Sequence, residues 1–245
     1  MRIVAWNCNM ALHRKFEALL CAEPDIAVIS ECAAPDVLAA RGDLPALSGD
    51  PVWIGTNRNK GLGVFAFNGY CVDLLEPHFT YLRHIAPVSI TGPHRFSLLA
   101  VWAQNASAGL TRKHQLGPMR RALTKYRALF EDGPVLVAGD LNNNIFWDRP
   151  GWRINHAPAV ATLEQYGLTS AYHALRGEAQ GAESEPTLYW RDRTRTGPTY
   201  HIDYIFLPKA WIDGVASLTI GDYDTWCGSG LSDHVPVIAD VTPPD

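Results

Sequence analysis

The sequence predicts an α/β or α+β layered fold. Short apolar runs of strand length recur from one end of the chain to the other, and a few helical patterns lie between them. Hydrophobic residues make up 47% of the 245 residues and charged residues 19%, a composition that excludes a disordered chain. Because no linker-like segment divides the sequence, we expect residues 1–245 to form a single domain.

Each predicted strand is a short apolar run bounded by polar or turn-forming residues. In chain order these runs cover residues 2–6, 25–30, 63–67, 95–103, 135–138, 202–207 and 235–241. Helical spacing predicts a helix over residues 13–22, with Phe16, Leu19 and Leu20 on its buried face, and a second helix over residues 115–130. We interpret the basic residues of the second helix as a solvated face.

Charge and cysteine content exclude several classes of protein. The 21 basic and 25 acidic residues give a net charge of -4, which excludes a wholly basic nucleic-acid binder but allows a local basic patch. No apolar stretch approaches the ~18–20 residues that cross a bilayer. Five cysteines without a C-x-x-C pair favour reduced thiols over disulfides or zinc. We therefore expect a cytoplasmic protein, and we expect it to be a monomer.

Polar side chains follow most of the predicted strands at the point where each apolar run ends. These residues are Asn7, Glu31, Asp140, Asn142, Asp203, Asp233 and His234. A structural explanation exists for each one alone, since Asp and Asn favour turns for local reasons. Together they predict a site at one rim of a sheet, because a buried strand fixes its tip while the following loop reaches solvent.

Carboxylates that converge on one site repel each other unless a cation compensates their charge. Oxygen ligands without a cysteine or histidine pair indicate a hard divalent ion, Mg²⁺ or Mn²⁺, rather than zinc. Such an ion neutralises a phosphate and helps a water molecule to attack phosphorus in line. The pattern therefore predicts metal-dependent hydrolysis of phosphate esters.

At these positions the chain resembles the endonuclease/exonuclease/phosphatase superfamily, which includes deoxyribonuclease I, repair nucleases and inositol polyphosphate phosphatases. The matching segments occur in the order of the family and span nearly the whole chain: AWN at 5–7, SE at 30–31, GDLN at 139–142, HIDYIF at 201–206 and SDHVPV at 232–237. The resemblance implies a four-layer αββα sandwich with two packed mixed β-sheets, and hydrolysis of phosphoester bonds that depends on a divalent metal.

The resemblance also implies roles for single residues. Glu31 is similar to the principal metal ligand of the family, supported by Asn7 and Asp233. Asp140 is similar to the carboxylate that holds or deprotonates the attacking water, or that binds a second metal.

Three further residues match the catalytic positions of the family. The resemblance implies that Asn142 hydrogen-bonds the nucleophile or a phosphate oxygen. It also implies that His234 binds the scissile phosphate, and that Asp203 orients and charges that imidazole. A carboxylate beside a histidine raises the imidazole pKa, which favours the cation. The sequence leaves open whether Asp140 or His234 is the general base.

One segment departs from the family pattern. Where the repair nucleases have a tyrosine followed by an asparagine, the segment VWAQN places Trp102 and Asn105. An indole donates one N–H but does not act as an acid. Trp102 therefore either contacts phosphate or fills the core, and Asn105 is the better candidate for phosphate binding.

The segment between GDLN and HIDY contains two clusters of arginines and aromatic residues, at 147–153 and 189–195. Arginine binds backbone phosphates and tryptophan stacks on bases, so these clusters suit a nucleic acid. The alternative is a loop anchored by buried aromatic residues with arginines at its surface. The candidate substrate-binding residues are Lys60, Arg149, Trp152, Arg191 and Arg193, in addition to Trp102 and Asn105.

Three hypotheses for function follow. The favoured one is a metal-dependent nuclease that cleaves DNA phosphodiesters, and RNA stays open as the alternative polymer substrate. The second is a phosphatase or phosphodiesterase for a small molecule or a lipid headgroup. The third is a catalytically silent binding module of the same fold, and the intact set of acids argues against it.

Overall fold

The computed structural model describes residues 1–42, 44–104, 115–190 and 194–244. The strands are β1 (Arg2–Asn7), β2 (Ile26–Cys32), β3 (Val52–Asn57), β4 (Lys60–Ala66), β5 (Cys71–Leu74), β6 (Ile85–Thr91), β7 (Phe96–Trp102), β8 (Val135–Asp140), β9 (Leu168–Ser170), β10 (Leu188–Tyr189), β11 (Thr199–Tyr200), β12 (Asp203–Pro208), β13 (Val215–Ile220) and β14 (Val237–Val241). The α-helices are α1 (Phe16–Cys21), α2 (Pro35–Ala39), α3 (Pro118–Lys125), α4 (Ala157–Gln165) and α5 (Ala171–Arg176).

Most of the strands form two six-stranded mixed sheets. The first sheet has the order β13-β14-β1-β2-β4-β3, and the second has the order β5-β6-β7-β8-β12-β9. Strands β1 and β2 are parallel, as are β7 and β8, whereas the other neighbours are antiparallel. Strands β10 and β11 form a separate two-stranded ribbon.

Three hydrophobic clusters define four layers. The inward faces of both sheets form one cluster, in which Ala5 and Val28 of the first sheet pack with Leu98 and Leu136 of the second. The outer face of the first sheet packs on α1 and α2, and the outer face of the second packs on α3 and α4. Alternate residues of a strand point to opposite faces, so strands buried on both faces read as continuous apolar runs. The predicted αββα sandwich is confirmed.

Two predicted helices differ from those observed. The segment 115–130 begins its α-helix only at Pro118, whose fixed φ suits a first helical position, and the α-helix ends at Lys125 before a 3₁₀ turn over Arg127–Phe130. In the segment 13–22, only Phe16–Cys21 is α-helical. Leu20 is 39% exposed rather than buried, because this short helix has a narrow contact with the sheet.

Candidate active site

The ends of β1 and β8 bring the two sheets into contact at one rim. Asn7 is the last residue of β1 and Asp140 is the last residue of β8. The Nδ2 atom of Asn7 donates to Oδ2 of Asp140 at 3.0 Å and lies 3.4 Å from Oε1 of Glu31. Residues from three strands and two sheets therefore meet at one point, as the polar tips predict.

Glu31 reaches the rim because β2 bulges at this position. The pairing with β4 shifts its register between Ser30 and Cys32, and Glu31 has a left-handed φ of 62°. A bulge redirects a side chain and bends its strand, and strained backbone is often found at functional sites. The Glu31 carboxylate stays partly exposed while its two neighbours are buried, and it faces Lys60, whose Nζ lies 2.8 Å from Oε2.

The turn after β8 fixes the Asp140 carboxylate. The backbone N–H of Asn142 donates to Oδ1 of Asp140 at 2.7 Å, and Asn142 has a left-handed φ of 49° that closes the turn. Asp140 is fully buried and pairs in register with Trp102 on β7 and with Asp203 on β12. Each carboxylate oxygen of Asp140 thus accepts a hydrogen bond from a different element.

Asp203 and His234 form a buried pair beside Asp140. Oδ2 of Asp203 lies 2.7 Å from Nδ1 of His234 and accepts a second bond from Oγ1 of Thr187, also at 2.7 Å. Ser232 holds the other end, since its hydroxyl donates to the carbonyl of Asn7 and accepts from the His234 N–H. With Nδ1 engaged by Asp203, Nε2 is the imidazole atom that remains for a substrate.

Burial and mutual repulsion perturb the titration of these groups. Burial, followed by the charge of Asp203, raises the pKa of Asp140 well above its ordinary range. Burial alone would lower the pKa of His234, but the charge of Asp203, its hydrogen bond and the charge of Asp140 raise that pKa well above its usual value. The site therefore favours a protonated imidazole and disfavours an uncompensated second carboxylate.

The donor set suits a divalent cation. One oxygen or nitrogen atom from each of Asp140, Asp203 and His234 falls within 4.8 Å of the others. Oδ1 of Asp203 is buried without a hydrogen-bond partner in the described part of the chain, and a buried unpaired carboxylate oxygen is costly. Glu31 lies beside this group, with the Nδ2 atom of Asn7 between its carboxylate and that of Asp140. Carboxylate oxygens of this kind are donors that could bind a hard metal ion.

Of the predicted metal ligands, only Asp140 is a member of the group formed with Asp203 and His234, and the others lie at its edge. Asp140 belongs to the cluster. The amide oxygen of Asn7 accepts from the N–H of Asn9, so the Asn7 nitrogen faces the carboxylates. The Asp233 carboxylate is half-buried and lies 3.5 Å from the Ser232 hydroxyl, at the flank of the site.

No family model matches this sequence, and no curated protein matches it either. Solved structures do match. The 3′ phosphatase NExo from Neisseria, bound to a product DNA hairpin, is 18% identical over 99% of both chains, with a TM-score of 0.69. The AP endonuclease LMAP from Leishmania major is 15% identical over 99% of this chain and 88% of that chain, and the AP endonuclease from Archaeoglobus fulgidus is 15% identical over 98% and 99%. Each has a TM-score of 0.70.

The chain has the endonuclease/exonuclease/phosphatase fold. The resemblance predicted from five short motifs is thus confirmed at the level of fold. The sequence identities are only 15–18%, so what this chain shares with these proteins is the pattern of buried strands and a few polar residues at the strand ends.

In this fold an aromatic cleft of about 390 Å³ adjoins the acidic site at Asn142. We call the cleft lined by Trp147, Trp152, Trp190 and Tyr200 the aromatic cleft; its volume lies within the ~300–1,000 Å³ typical of small-ligand sites. The rings of Trp147 and Tyr200 are 4.6 Å apart between centroids. Trp147 and Trp152 of the first predicted cluster and Trp190 of the second therefore line the same cleft.

The other predicted substrate-binding residues have varied positions. Arg149 lines the aromatic cleft, and its guanidinium donates to the carbonyls of Phe146 and Asp148. Trp102 is 3% exposed and packs in the core between the sheets, with Nζ of Lys60 5.4 Å from its ring centroid. The predictions for Asn105, Arg191 and Arg193 fall outside the described residues.

Several residues of the site are not identifiable from the sequence. Thr187 holds Asp203 from a segment with no recognisable motif, and its Oγ1 also accepts from the N–H of Ile202. Tyr200 contributes a central ring to the aromatic cleft. Tyr200 directly precedes the HIDYIF segment, but this position does not reveal which way its side chain turns, and Thr187 has no comparable signal in the sequence.

Proposed function

We propose that this protein hydrolyses phosphoester bonds with the help of a divalent metal ion, and that its substrate is DNA. The observation that carries the proposal is the buried group of Asp140, Asp203 and His234, which the ends of three chain segments bring together next to Glu31 and Asn7. Such a group of acids and an imidazole matches the needs of phosphoryl transfer, which depends mainly on positioning and on neutralising charge.

The residues divide the chemistry between them. His234 is held as the cation by Asp203, so its Nε2 donates to a non-bridging oxygen of the scissile phosphate. A cationic His234 is a poor base, which leaves Asp140 to take the proton of the attacking water. Burial and the charge of Asp203 raise the pKa of Asp140, and a bound cation would offset that effect and keep Asp140 ionised as the base. Asn142 positions the phosphate or the nucleophile.

Glu31 and Asp140, with Asn7 and Asp233 beside them, would hold the metal ion. When bound, such an ion would neutralise phosphate charge and would make the attacking water more acidic. Oxygen donors favour Mg²⁺ or Mn²⁺. Lys60 now lies against Glu31, where it compensates one negative charge.

Two observations support a nucleic acid over a small phosphate ester. The aromatic cleft beside Asn142 offers rings on which bases stack, and base–aromatic stacking tolerates any sequence. The similar structures are those of DNA-bound NExo and of two AP endonucleases. We further propose that the enzyme acts as a monomer in the cytoplasm, where free thiols such as its five cysteines persist. No helix in the described ranges is long and apolar enough to cross a bilayer.

A substrate panel tests the proposal. The purified protein is incubated with Mg²⁺, Mn²⁺ or EDTA and with plasmid DNA, labelled oligonucleotides, RNA, inositol phosphates and p-nitrophenyl phosphate. We expect metal-dependent cleavage of DNA, and DNA binding in EDTA that weakens as salt rises because counterions are released. Cleavage that is insensitive to EDTA would contradict the metal mechanism. Turnover of the small esters alone would contradict the polymer substrate.

A further inference from the structure

A carboxylate that the proposed chemistry does not use lies behind the turn that follows β8. The Glu183 side chain is only 4% exposed, and its Oε1 accepts from the N–H of Gly181 and lies next to Nε2 of His173, each at 3.0 Å. Its Oε2 accepts from Nδ2 of Asn144 at 3.1 Å. Burial would raise the pKa of Glu183, but these hydrogen bonds lower that pKa to about 2, so the carboxylate is ionised.

Neither metal binding nor stability explains this enclosed charge. Within the described ranges, Asp140, Asp203 and His234 are the one group of three or more acidic, histidine or cysteine ligands that lie close enough together to hold a metal ion. Glu183 and the histidine beside it therefore do not form a second such group. Taking a carboxylate out of water carries a desolvation cost that its contacts can fail to repay in stability. The contacts of Glu183 instead point to a role in holding its neighbours in place.

The side-chain amide of Asn144 joins two segments of the acidic site. Asn144 is 3% exposed, and its Nδ2 donates to the backbone carbonyl of His201 at 2.8 Å as well as to Glu183. Asn144 follows Asn142 by two positions, and His201 precedes Asp203 by two positions. This one side chain therefore ties the turn after β8 to the segment that leads into β12.

Glu183 fixes the direction in which this amide points. If the amide were turned over, its oxygen would face the carboxylate, and both groups only accept hydrogen bonds. In the observed orientation, Oδ1 of Asn144 accepts from the N–H of Phe146 at 2.8 Å and caps the 3₁₀ turn Ile145–Trp147. Trp147, the last residue of that turn, lines the aromatic cleft. The orientation of one amide thus fixes the segment that runs from the turn after β8 to the aromatic cleft.

We propose that Glu183 is a positioning residue that acts through Asn144 and aligns the Asp140–Asn142 turn with the aromatic cleft; this rests on the proposed function. The loop that carries Glu183 packs directly on the segment between them, because a Cβ on Gly181 would come within 3.3 Å of Cβ of Ile145. Displacing a reacting group by about 1 Å slows catalysis by roughly 100-fold. A substrate whose bases stack in the cleft therefore reacts at full rate only when this segment is held in place.

The kinetics of DNA cleavage test this role. The kcat and KM for a labelled oligonucleotide with Mg²⁺ are measured for the wild type, Asn144→Ala, Glu183→Gln and the double variant, at a temperature at which melting curves show all of them folded. Glu131→Gln is the charge-matched control, because Glu131 is an exposed carboxylate that pairs with an arginine. Ile90→Ala is the control for loss of stability alone, because Ile90 is fully buried near the end of β6 that lies away from the rim.

We expect Asn144→Ala to lower kcat about 30-fold and Glu183→Gln to lower it about tenfold, with KM changed by less than about threefold, because the substrate still binds but is misaligned. Both controls should keep the wild-type kcat. Because Glu183 acts through Asn144, the double variant should lose no more than Asn144→Ala alone. Losses that multiply in the double variant, an unchanged kcat in folded Glu183→Gln, or an equal loss in Ile90→Ala would each overturn the positioning role.

Amide hydrogen exchange in EDTA tests the same role without hydrolysis. In Glu183→Gln, the N–H of Asn142, which donates to Asp140, and the N–H of Phe146 should exchange about tenfold faster, as for loss of one hydrogen bond, while that of Val4 in β1 keeps its rate. Equal acceleration at all three amides, or at none, would overturn the role. If the wild type does not cleave DNA, the proposed function fails, and the exchange rates still decide the positioning role.

Discussion

At the scale of single residues, Asp203 determines the charge of His234. Its carboxylate is fully buried, accepts from Thr187 and holds the imidazole at Nδ1. Burial lowers the pKa of His234, but the charge and hydrogen bond of Asp203, followed by the charges of Asp140 and Asp233, raise that pKa above its usual value. The phosphate-binding role proposed for His234 therefore depends on a residue that need not touch the substrate.

We predict that Asp203→Asn lowers the pKa of His234 and slows hydrolysis by about 10²- to 10³-fold, the usual cost of losing one donor that stabilises charge in the transition state. The amide keeps the shape of the carboxylate but removes its charge, while burial continues to disfavour the cation. An NMR titration of the His234 ring measures the shift, and thermal melting checks that the variant is folded. An unchanged His234 pKa in a folded variant would show that another group supplies the charge.

The site residues were accessible to sequence analysis to different degrees. Asp140, Asp203 and His234 each end or follow a strongly apolar run, and the shape of a layered sheet brings such tips together. Thr187 lies in a segment without a comparable pattern. Its role depends on side-chain direction in three dimensions, which spacing in the sequence does not encode.

At the scale of elements, the glycine of the GDLN segment lets β8 approach β7. Gly139 has a φ of 130°, and a Cβ on it would collide with the carbonyl oxygen of Val101 on the parallel neighbour strand. The residue that follows is Asp140, so the close approach of these backbones places the carboxylate at the rim. The motif is thus partly a packing requirement.

We predict that Gly139→Ala reduces the free energy of unfolding by about 3 kcal/mol or more, since it combines backbone strain with a collision. Gly133→Ala is the matched control, because Gly133 has a φ of 118° but nothing within 4 Å of its added Cβ. In the control, only backbone strain should lower the free energy of unfolding, by about 1–2 kcal/mol. Urea denaturation measures both. Equal losses would show that contact with Val101 is unimportant.

The elements themselves were predicted unevenly. Strand β6 is buried on both faces but was not predicted, whereas the other central strands are continuous apolar runs whose positions followed from the sequence. The bulge at Glu31 did not, because it arises from pairing with β4. The predicted helix over 115–130 contains apolar residues at suitable spacing, but the structure begins it at Pro118 and ends it before Tyr126. Periodicity continues across such a break and does not reveal it.

At the scale of the whole molecule, buried neutral histidines make stability depend on pH. His156 is 1% exposed and stacks on Tyr204 at a centroid distance of 5.3 Å. Burial lowers its pKa from 6.5 to about 4. Between these values the unfolded chain binds a proton that the folded chain does not, so stability is complete above pH 6.5 and is lost as the pH falls towards 4.

We predict that His156→Phe reduces this loss of stability on acidification from pH 6.5 to 4 by about 1–3 kcal/mol, since one group contributes up to ~1.4 kcal/mol per pH unit. The phenyl ring keeps the stacking on Tyr204. Urea unfolding at a series of pH values gives the free energies, and the two proteins should show parallel curves between pH 7 and 8. A variant as acid-sensitive as the wild type would assign the effect to other groups.

We propose that Asp140, Asp203 and His234 form the hydrolytic centre, and the rate of DNA cleavage by the Asp140→Asn variant tests this role. The matched control is Asp36→Asn, which changes an exposed carboxylate paired with Arg58. With Mg²⁺ present, we predict that Asp140→Asn cleaves DNA about 100-fold more slowly than the wild type, or slower still, whereas Asp36→Asn cleaves at the wild-type rate. EDTA should abolish cleavage by the wild type and by Asp36→Asn. Cleavage at the wild-type rate by a folded Asp140→Asn variant would show that these three residues are not the hydrolytic centre.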